Sequence, residues 1–411
     1  MKVLVLNSGS SSVKYQLIET SLELIERNAD RALARGAVDS IGGETSLHTL
    51  FVAGRPAISE AGEILEHRQA IAAILRLLSD PERGLIRDVS EIGAVGHRVV
   101  HAGERFDRSM MLDPEVESGI RECVELAPLH NPHNLRGIEA ARRLLPDIPQ
   151  AAVFDTAFHR TMPARAYLYG LPYVLYQRHA VRRYGFHGTS HRYVAWRAAA
   201  LLGQPRERLR LVTCHLGNGA SVCAIDRGHS VDTSMGFTPL EGLLMGTRSG
   251  DLDPSVVFFL MHKEDLDERQ VMALLNKHSG LQGVSGLSND MRELLAREHD
   301  GHERASLAIE MFCYRVRKYV AAYAGALGGL DAVVFTGGIG EHAPPIRERS
   351  LAGLGFMGIA VDEGRNLGAV GKEGEISPSG AAVRVLVIPT NEELVIARDT
   401  LRLVEGVPVH G

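Results

Sequence analysis

One pattern occurs twice in this chain and restricts its possible folds more than any other feature. It consists of an apolar strand, a turn of glycine, serine or asparagine, and a second apolar strand. The copies are V-L-V-L-N-S-G-S-S-S-V-K, from Val3 to Lys14, and L-V-T-C-H-L-G-N-G-A-S-V-C-A-I-D, from Leu211 to Asp226. Such turns expose backbone N–H groups and small hydroxyls, which suits a phosphate. We therefore expect two lobes that bind one polyphosphate from both sides.

A third glycine-rich segment, V-V-F-T-G-G-I-G-E from Val333 to Glu341, follows an apolar run typical of a buried strand. Neither hairpin contains a G-x-x-x-x-G-K-[ST] motif, and the third segment lacks the spacing G-x-G-x-x-G. Each element alone also fits an ordinary turn, because glycine and serine dominate turns. The three elements together, with Lys14 on the first return strand, indicate a nucleotide-dependent phosphotransferase.

Length and composition indicate a two-domain globular protein. A chain of 411 residues is too long for one compact core, and its apolar fraction of 45% and charged fraction of 23% are ordinary. The net charge of −5 gives no general bias toward nucleic acid or anionic membranes, and the apolar runs are too short to span a bilayer. Because Lys2 leads directly into a strand, no signal peptide is expected. Four dispersed cysteines predict a reduced, cytoplasmic protein.

The periodicity of apolar residues predicts alternating α/β structure, with two similar lobes and an interlobe cleft. The predicted strands are 2–7, 13–18, 92–100, 150–154, 211–215, 221–225, 332–335 and 383–388. The predicted helices are 63–78, 135–145, 191–202, 302–327 and 392–404. The chain is expected to cross between lobes near Asp155 and to return near Thr390. Residues 1–155 and 391–411 then form the first lobe, and residues 156–390 form the second.

A series of short motifs resembles the acetate/propionate/butyrate kinase (acetokinase) family nearly from end to end. They are N-S-G-S-S-S-V-K (7–14), G-H-R-V-V-H (96–101), L-A-P-L-H-N-P (126–132), F-D-T-A-F-H (154–159), Y-G-F-H-G-T-S-H (184–191), H-L-G-N-G-A-S (215–221), G-T-R-S-G-D-L-D-P (246–254), S-N-D-M-R (288–292), G-G-I-G-E (337–341) and N-E-E-L (391–394). The resemblance implies two RNase H-like lobes of the sugar kinase/Hsp70/actin (ASKHA) fold, with acetate bound by the first lobe and the nucleotide by the second. It also implies a homodimer and reversible transfer of the ATP γ-phosphoryl group to acetate, with Mg²⁺ as cofactor and Mn²⁺ as a substitute, and no nucleic-acid or membrane partner.

The same resemblance gives catalytic roles to Arg98, Asp155, His187 and Arg248. A planar guanidinium group binds carboxylate and phosphoryl oxygens in a bidentate manner, which suits both arginines to the approach of two anions. His187 is expected to donate an N–H to the transferring phosphoryl group. Acetate has a pKa near that of a Glu side chain, ~4.3, and is therefore already ionised at neutral pH. Asp155 is accordingly expected to orient Mg²⁺ or its waters and not to remove a proton.

The binding sites are assigned by the same resemblance. Asn7 and Glu392 match the family's metal-site residues, and an amide and a carboxylate suit the hard Mg²⁺ ion. The implied nucleotide-binding residues are Ser12, Lys14, His215, Leu216, Gly217, Asn218, Gly219, Asp290, Met291, Arg292, Gly337, Gly338, Ile339, Gly340 and Glu341. A helix beginning after Ala343 is expected to add its dipole there. The implied acetate site consists of Arg98, which binds the carboxylate, and an apolar pocket around the methyl group, formed by Val100, Leu129, Phe186 and Pro239.

Other interpretations remain open at the level of sequence. Two histidine pairs at helical spacing, 97/101 and 187/191, are compatible with a zinc site, although no H-E-x-x-H or C-x-x-C motif accompanies them. The basic and aromatic segment 178–197 is compatible with nucleic-acid binding. An ATP-gated clamp of the Hsp70 or actin type would share the fold, because fold alone does not determine function.

The sequence departs from the family pattern at two positions. Ala102 stands where the family commonly has glycine, which raises the question of the local backbone conformation. His133 stands where the family usually has a small residue. We expect His133 to be a solvated loop residue, and the alternative is an added imidazole near the acetate pocket.

Overall fold

The chain forms two compact units, each with its own sheet. The computed structural model describes residues 1–128 and 130–409, so the predicted pocket residue Leu129 lies outside the described residues. One unit is Met1–Ala157 together with the C-terminal segment that begins at Asn391, and the other is Phe158–Thr390. We call them the first and second units. Within the described ranges, no helix combines the length and hydropathy needed to cross a membrane.

The secondary structure alternates between strands and helices, which confirms the predicted α/β class. The strands are β1 (Lys2–Ser8), β2 (Ser12–Glu19), β3 (Arg31–Asp39), β4 (Ser46–Val52), β5 (Ile58–Gly62), β6 (Ile92–Val99), β7 (Met110–Met111), β8 (Gln150–Phe154), β9 (Arg210–Leu216), β10 (Ala220–Asp226), β11 (His229–Thr233), β12 (Ala332–Thr336), β13 (Gly374–Glu375) and β14 (Arg384–Val387). The helices are α1 (Leu22–Glu26), α2 (His67–Leu78), α3 (Pro114–Glu122), α4 (Asn131–Leu144), α5 (Ala164–Tyr167), α6 (Tyr173–His179), α7 (Gly188–Leu202), α8 (Pro254–Lys263), α9 (Glu268–Lys277), α10 (Gly280–Ser285), α11 (Met291–His299), α12 (Glu303–Leu327), α13 (Gly337–His342), α14 (Pro344–Leu351), α15 (Glu363–Gly368) and α16 (Glu392–Val404).

The two sheets share one arrangement of their central strands. The first sheet has the order β5-β4-β3-β2-β1-β6-β8-β7, and the second has the order β11-β10-β9-β12-β14-β13. In the first sheet β2 is antiparallel to β1, while β6 and β8 continue parallel to it. In the second sheet β10 is antiparallel to β9, while β12 and β14 continue parallel to it. The series β3-β2-β1-β6-β8 and β11-β10-β9-β12-β14 therefore correspond, which confirms the prediction of two similar RNase H-like lobes.

The parallel strands are apolar throughout because helices cover them. Every residue of β8 and of β12 is buried, as expected for parallel strands packed on both faces. In the first unit, α4 packs against β1 and β6, and α16 packs against β1, β6 and β8. In the second unit, α7 packs against β9 and β12, and α12 packs against β9 and β10. The carboxyl ends of these strands are thereby held in fixed positions.

The C-terminal helix α16 confirms its predicted bounds and its predicted packing on the first sheet. The side chain of Asn391 accepts a hydrogen bond from the backbone N–H of Leu394 at 3.0 Å, which caps the helix. Glu392 and Glu393 follow in the first turn, where negative charge is favoured by the helix dipole. Glu392, a predicted metal ligand, is thus the first residue of a capped helix.

Several predicted bounds differ from the observed ones. The helix predicted over 63–78 begins at His67, and the one predicted over 135–145 begins at Asn131, where a proline in the first turn favours initiation. Strands β3, β4, β5, β7, β11 and β13 were not predicted. The sequence of β3, R-A-L-A-R-G-A-V-D, is poor in β-branched and aromatic residues, and its pairing with β2 and β4 stabilises it as a strand.

Candidate active site

Several hydrogen bonds hold the turn between β9 and β10 in the second unit. Gly217 N–H donates to the Gly219 carbonyl at 3.1 Å, which closes the turn. Gly246 N–H donates to the Asn218 carbonyl at 2.9 Å, and Asn289 Nδ2 donates to Asn218 Oδ1 at 3.1 Å. A Cβ atom at position 246 would lie 1.8 Å from Asn218 Oδ1, so only glycine allows this approach. The turn is therefore fixed to two further loops.

Arg248 extends from one of these loops toward the turn. A Cβ atom on Gly219 would lie 3.4 Å from Arg248 Nη1, so the glycine leaves space directly beside the guanidinium group. Nη1 donates to the Pro239 carbonyl at 3.3 Å, and none of the described ion pairs joins Arg248 to a carboxylate. Burial lowers the pKa of Arg248 from its ordinary value, yet an arginine remains charged at neutral pH. The loop thus holds a desolvated cation without an internal counter-ion.

His187 borders the same space beside Gly219. A Cβ atom on Gly219 would lie 3.7 Å from His187 Nε2. The His187 ring stacks on the His215 ring with 4.2 Å between centroids, and its Nδ1 is 2.9 Å from Ser221 Oγ. His187 has a φ of 57° immediately before α7, and this left-handed conformation is strained for a residue other than glycine. Strain of this kind is characteristic of functional sites.

In the first unit, Arg98 and Asp155 lie at the carboxyl ends of two adjacent parallel strands. Arg98 is in β6, and Asp155 directly follows β8. Arg98 Nη2 is 2.9 Å from Asp155 Oδ2, and the Asp155 side chain is 1% exposed. Burial acts to lower the pKa of Arg98, but the carboxylates of Asp155, Glu392 and Glu393 together raise it above its ordinary value. The buried Nε of Arg98 has no hydrogen-bond partner within the described residues.

The segment after Arg98 is held by side chains of the same unit. Val100 N–H donates to Asn134 Oδ1 at 3.1 Å, and Ala102 N–H donates to Thr156 Oγ1 at 3.2 Å. Ala102 is not among the residues with a positive φ, whereas Gly103 adopts a φ of 59°. The replacement of glycine by alanine at position 102 therefore does not strain the backbone, and Gly103 makes the left-handed turn.

The prediction that His133 is a solvated loop residue is wrong. It lies in the first turn of α4 and is half-buried, because its ring stacks on His67 with 6.0 Å between centroids. Burial lowers the pKa of His133, and Arg136 and His67 lower it further. His67 Nε2 is in turn 2.7 Å from the Gly9 carbonyl in the β1–β2 turn. His133 thus packs on a histidine that contacts the first hairpin.

The predicted metal and phosphate residues of the first hairpin are placed as follows. Gly9 N–H donates to the Ser12 carbonyl at 2.8 Å, which closes the turn. Asn7 in β1 pairs in register with Lys14 in β2, and the Lys14 side chain is exposed. Glu392 is close enough to Arg98 for its charge to raise the arginine pKa. These residues present amide and carboxylate oxygens and one exposed cation.

The histidine pairs suggested as zinc ligands have other partners. His97 Nε2 is 2.8 Å from Gln150 Oε1, and burial lowers the pKa of His97 to about 4. His101 Nδ1 accepts from Gly103 N–H at 2.9 Å, and its pKa falls to about 3, mainly through burial. Across residues 1–128 and 130–409, no group of three or more His, Cys, Asp or Glu residues could hold a metal ion. The rings serve as neutral hydrogen-bonding groups.

A cavity of about 530 Å³ lies beside the second hairpin. It is lined by Gly217, Asn218, Asn289, Asp290, Met291, Arg292, Leu295, Gly338, Ile339, His342 and Ala343. Asp290 caps α11 by accepting from Arg292 N–H at 2.8 Å, and the Arg292 side chain holds the pKa of Asp290 down to about 2. The volume lies within the usual range for small-molecule sites. The lining of the cavity combines apolar side chains with glycine backbone and polar groups.

The G-G-I-G-E segment forms most of the short helix α13. The helix predicted to begin after Ala343 is α14, which begins at Pro344. Gly337 has a φ of 77°, and a Cβ atom there would lie 2.8 Å from the backbone of Leu216. A Cβ atom on Gly338 would meet no atom within 4 Å. Glu341 Oε1 accepts from Gly337 N–H at 2.9 Å and from Thr390 N–H at 3.1 Å. Gly337 and Glu341 therefore shape the turn, and Gly338 faces the cavity.

The structure distributes the predicted nucleotide residues unevenly. Seven of them line the cavity: Gly217, Asn218, Asp290, Met291, Arg292, Gly338 and Ile339. The lining residues that the sequence did not single out are Asn289, Leu295, His342 and Ala343. Asn289 lies within the S-N-D-M-R motif, so the motif was a sufficient signal for it. No sequence motif indicated His342. It lines the cavity because it belongs to the same helix, α13, as the glycine motif.

The basic segment 178–197 uses several arginines within the second unit. The Arg182 guanidinium stacks on the Tyr167 ring at 3.6 Å from its centroid. Arg183 Nη2 donates to Glu241 at 2.6 Å, and Arg197 donates to both carboxylate oxygens of Glu373 at 2.9 and 2.7 Å. These side chains stabilise the unit and weaken the interpretation of the segment as a nucleic-acid site.

Comparisons with known proteins agree over the length of the chain. The model of the acetokinase family matches residues 2–398. An acetate kinase from Caldicellulosiruptor saccharolyticus is 53% identical over 406 residues, which cover 98% of this chain and 100% of that protein. The crystal structure of acetate kinase from Porphyromonas gingivalis has a TM-score of 0.93 at 49% identity and covers 98% of this chain and 99% of its own. That of a propionate kinase from Francisella tularensis has a TM-score of 0.90 at 39% identity, with coverages of 98% and 99%.

Proposed function

The chain belongs to the acetokinase family, and we propose on that premise that it transfers the γ-phosphoryl group of ATP directly to acetate, giving acetyl phosphate and ADP in a reversible reaction. The observation that carries this proposal is that Arg248 and His187 both border the space left by Gly219 in a phosphate-type turn. Phosphoryl transfer requires positioning and positive charge more than covalent chemistry from the protein. A half-buried cation beside a glycine turn, with no carboxylate partner among the described ion pairs, meets that requirement.

The acceptor needs orientation and not deprotonation. Acetate is ionised at neutral pH, since its pKa is near the ~4.3 of a Glu side chain. We assign Arg98 to the acetate carboxylate, because its guanidinium group is held by Asp155 and its Nε has no hydrogen-bond partner within the described residues. Asp155 then orients Arg98, in addition to the role near Mg²⁺ that the sequence suggested. His187 and Arg248 act on the transferring phosphoryl group.

The nucleotide is assigned to the cavity beside the second hairpin. Gly338 allows the adenosine to approach the backbone, because no atom lies within 4 Å of its missing Cβ position. Met291 is buried and offers an apolar surface, while Asn218 and Asn289 offer amide groups. His215 and Asn218, on the turn, are placed to hydrogen-bond the phosphates, and Ser12 and Lys14 are the corresponding candidates in the first unit.

Asn7 and Glu392 would hold Mg²⁺. Their amide and carboxylate oxygens fit a hard cation that commonly takes only one or two protein ligands and completes its shell with water and phosphate. The lack of a three-residue ligand cluster within the described residues is compatible with such a site. When bound, Mg²⁺, or Mn²⁺ in its place, would neutralise charge on the phosphates. We place the reaction in the cytoplasm, where ATP is available.

We also infer that the protein is a homodimer, and α8 supports this proposal. No residue of α8 is buried, although it carries Val256, Phe258 and Phe259, which are 40%, 64% and 59% exposed. A row of exposed aromatic residues is typical of a protein interface, and a second copy of the chain is the partner proposed here. Light scattering should give the mass of a dimer, and Phe258→Glu with Phe259→Glu should give a monomer. A monomeric wild type, or a doubly substituted dimer, contradicts the proposal; Phe356→Glu, at a site 84% exposed, is the control.

The function is tested by trapping acyl phosphate as the hydroxamate with Mg-ATP and acetate, propionate or butyrate in parallel. We expect acetate-dependent turnover well above that with propionate, because Val100 occupies more of the methyl pocket than an alanine would. Faster turnover with propionate than with acetate would make propionate the acceptor. This alternative is tested because the chain is also similar to a propionate kinase of known structure. ATP binding without carboxylate-dependent turnover would overturn the proposal and favour a clamp of the Hsp70 or actin type.

A further inference from the structure

A chain of hydrogen bonds leads from the ring of His187 into the interior of the second unit. His187 Nδ1 is 2.9 Å from Ser221 Oγ, and Ser221 Oγ is 2.8 Å from His191 Nε2. His191 Nδ1 is 2.7 Å from Thr213 Oγ1. Ser221, His191 and Thr213 are all fully buried. The roles proposed above use His187 alone, so the function of the other three residues is open.

The scaffold holds these four side chains in a fixed relation. His191 N–H donates to the His187 carbonyl at 2.9 Å, so the two rings are one helical turn apart at the start of α7. Thr213 in β9 pairs in register with Cys223 in β10, and Ser221 is two residues before Cys223. Thr213 and Ser221 therefore lie on the same face of the sheet. One helix end and two paired strands thus set the distances along the chain of hydrogen bonds.

The donors along this chain can all share one direction, and two such directions are possible. A hydroxyl has one hydrogen to donate, and a neutral imidazole has one N–H. In one direction Thr213 donates to His191 Nδ1, His191 Nε2–H donates to Ser221, and Ser221 donates to His187 Nδ1. His187 then carries its proton on Nε2. In the opposite direction His187 Nδ1–H donates to Ser221, and Nε2 carries a lone pair.

The two directions differ in what they offer to a phosphoryl group beside Gly219. His187 Nε2 and Arg248 Nη1 both border the space at Gly219. A neutral His187 stabilises an anionic oxygen only by donating Nε2–H, because a lone pair there would repel it. The direction of the hydrogen-bond chain therefore decides whether His187 assists transfer.

We propose that Ser221, His191 and Thr213 are positioning residues that hold neutral His187 as the tautomer with its proton on Nε2. The proposal deepens the proposed function and rests on it, because it concerns the group that His187 presents to the phosphoryl group. Thr213 supplies the terminal donor, and Ser221 transmits the direction between the two rings. Neither hydroxyl needs to touch a substrate.

The test combines ¹⁵N NMR of protein labelled in histidine with steady-state kinetics. The shifts of Nδ1 and Nε2 report the tautomer of each ring, and His187→Gln identifies the signals of His187. We expect the Nε2–H tautomer in the wild type and a mixture in Ser221→Ala and in Thr213→Val. The kcat should fall about tenfold to a hundredfold, the range for loss of partners that orient ligating histidines, with the KM for ATP and for acetate nearly unchanged. Ser221→Thr and Thr213→Ser, which keep the hydroxyl, should restore both readouts.

The outcomes separate this inference from the proposed function. The tautomer is measured without turnover, so a wild type that does not phosphorylate acetate contradicts the function while the NMR result still decides the relay. An unchanged Nε2–H tautomer in both Ser221→Ala and Thr213→Val overturns the relay. A fall in kcat matched by a lower melting temperature, with the tautomer unchanged, shows a packing role and overturns it too.

Discussion

The two units have corresponding strands but present different chemistry where those strands end. In the first unit the parallel strands β6 and β8 end in a pair of side chains, Arg98 and Asp155, joined at 2.9 Å. In the second unit the equivalent strand β12 ends in Gly337 and Gly338, and the cation comes instead from the loop that carries Arg248. In the first unit the arginine, Arg98, is paired with a carboxylate. In the second unit the strand is followed by glycines, and Arg248 is in none of the described ion pairs with a carboxylate.

This difference teaches how an arginine is adapted to its anion. Arg98 has a fixed orientation and a neighbouring counter-charge, which suits the recognition of a small monoanion such as acetate. Arg248 is half-buried and its burial lowers its pKa, so an anion beside it would stabilise its charge. Sites of this kind favour function over stability. The same residue type should therefore respond oppositely to substitution in the two units.

The largest expected effect is the loss of turnover in Arg248→Ala. If Arg248 stabilises the transferring phosphoryl group as proposed, its removal should reduce kcat by about 10³-fold or more, the effect of arginines that act on phosphoryl groups. The dissociation constant for ATP, measured by calorimetry, should change little, and the melting temperature should stay equal or rise. Arg178→Ala, at an exposed position of the same unit, is the control. A large loss of ATP affinity would show that Arg248 binds the ground-state phosphate.

Arg98→Ala should instead reduce the stability of the first unit as well as turnover. It leaves the Asp155 carboxylate, 1% exposed, without its cation, and loss of one partner of a buried pair costs about 3–5 kcal/mol. Urea unfolding measures this loss. Arg98→Met combined with Asp155→Leu removes both charges and should recover most of the stability while remaining inactive. A single substitution as stable as the wild type would show that the pair is not structurally important.

The sequence predicted the central strands and the hairpins better than the outer strands of the sheets. The two hairpins, the parallel strands and α16 could be predicted because apolar runs and turn residues coincide there. Strand β3 could not, because its alanines, arginines and glycine favour no strand, and its pairing with β2 and β4 determines its structure. Local pattern identifies elements that are buried on both faces, and it fails where tertiary pairing decides.

Site residues could be predicted to the extent that they belong to short motifs. Arg98 and Asp155 were each assigned, but their ion pair depends on the register of β6 and β8, which the sequence does not state. His133 was predicted in a loop because the helix was predicted to begin only at residue 135. The proline at position 132 was the available signal for the earlier start of α4. The hydrogen bonds that join His187 to Ser221, His191 and Thr213 could not be predicted, because they depend on how α7, β9 and β10 pack together.

The two glycines at the end of β12 offer a smaller and sharper test of the comparison. Gly337→Ala should lower the melting temperature, because alanine at a φ of 77° costs about 1–2 kcal/mol and its Cβ would meet the Leu216 backbone. Gly338→Ala should leave the melting temperature unchanged and raise the KM for ATP, because its Cβ enters the cavity. Equal KM values for Gly338→Ala and the wild type would place the nucleotide elsewhere.

The smallest expected effect concerns Val100, which follows β6 at the position where the second unit has its glycines. If Val100 limits the acceptor pocket, Val100→Ala should lower the KM for propionate more than that for acetate, since one methylene is worth about 1–3 kcal/mol in an apolar pocket. Competing acetate and propionate in the hydroxamate assay measures the ratio directly. Val99→Ala is the matched control, because Val99 is fully buried in the core beside Phe154 and should lower stability without changing the ratio. Equal changes for both acceptors in Val100→Ala would remove Val100 from the pocket.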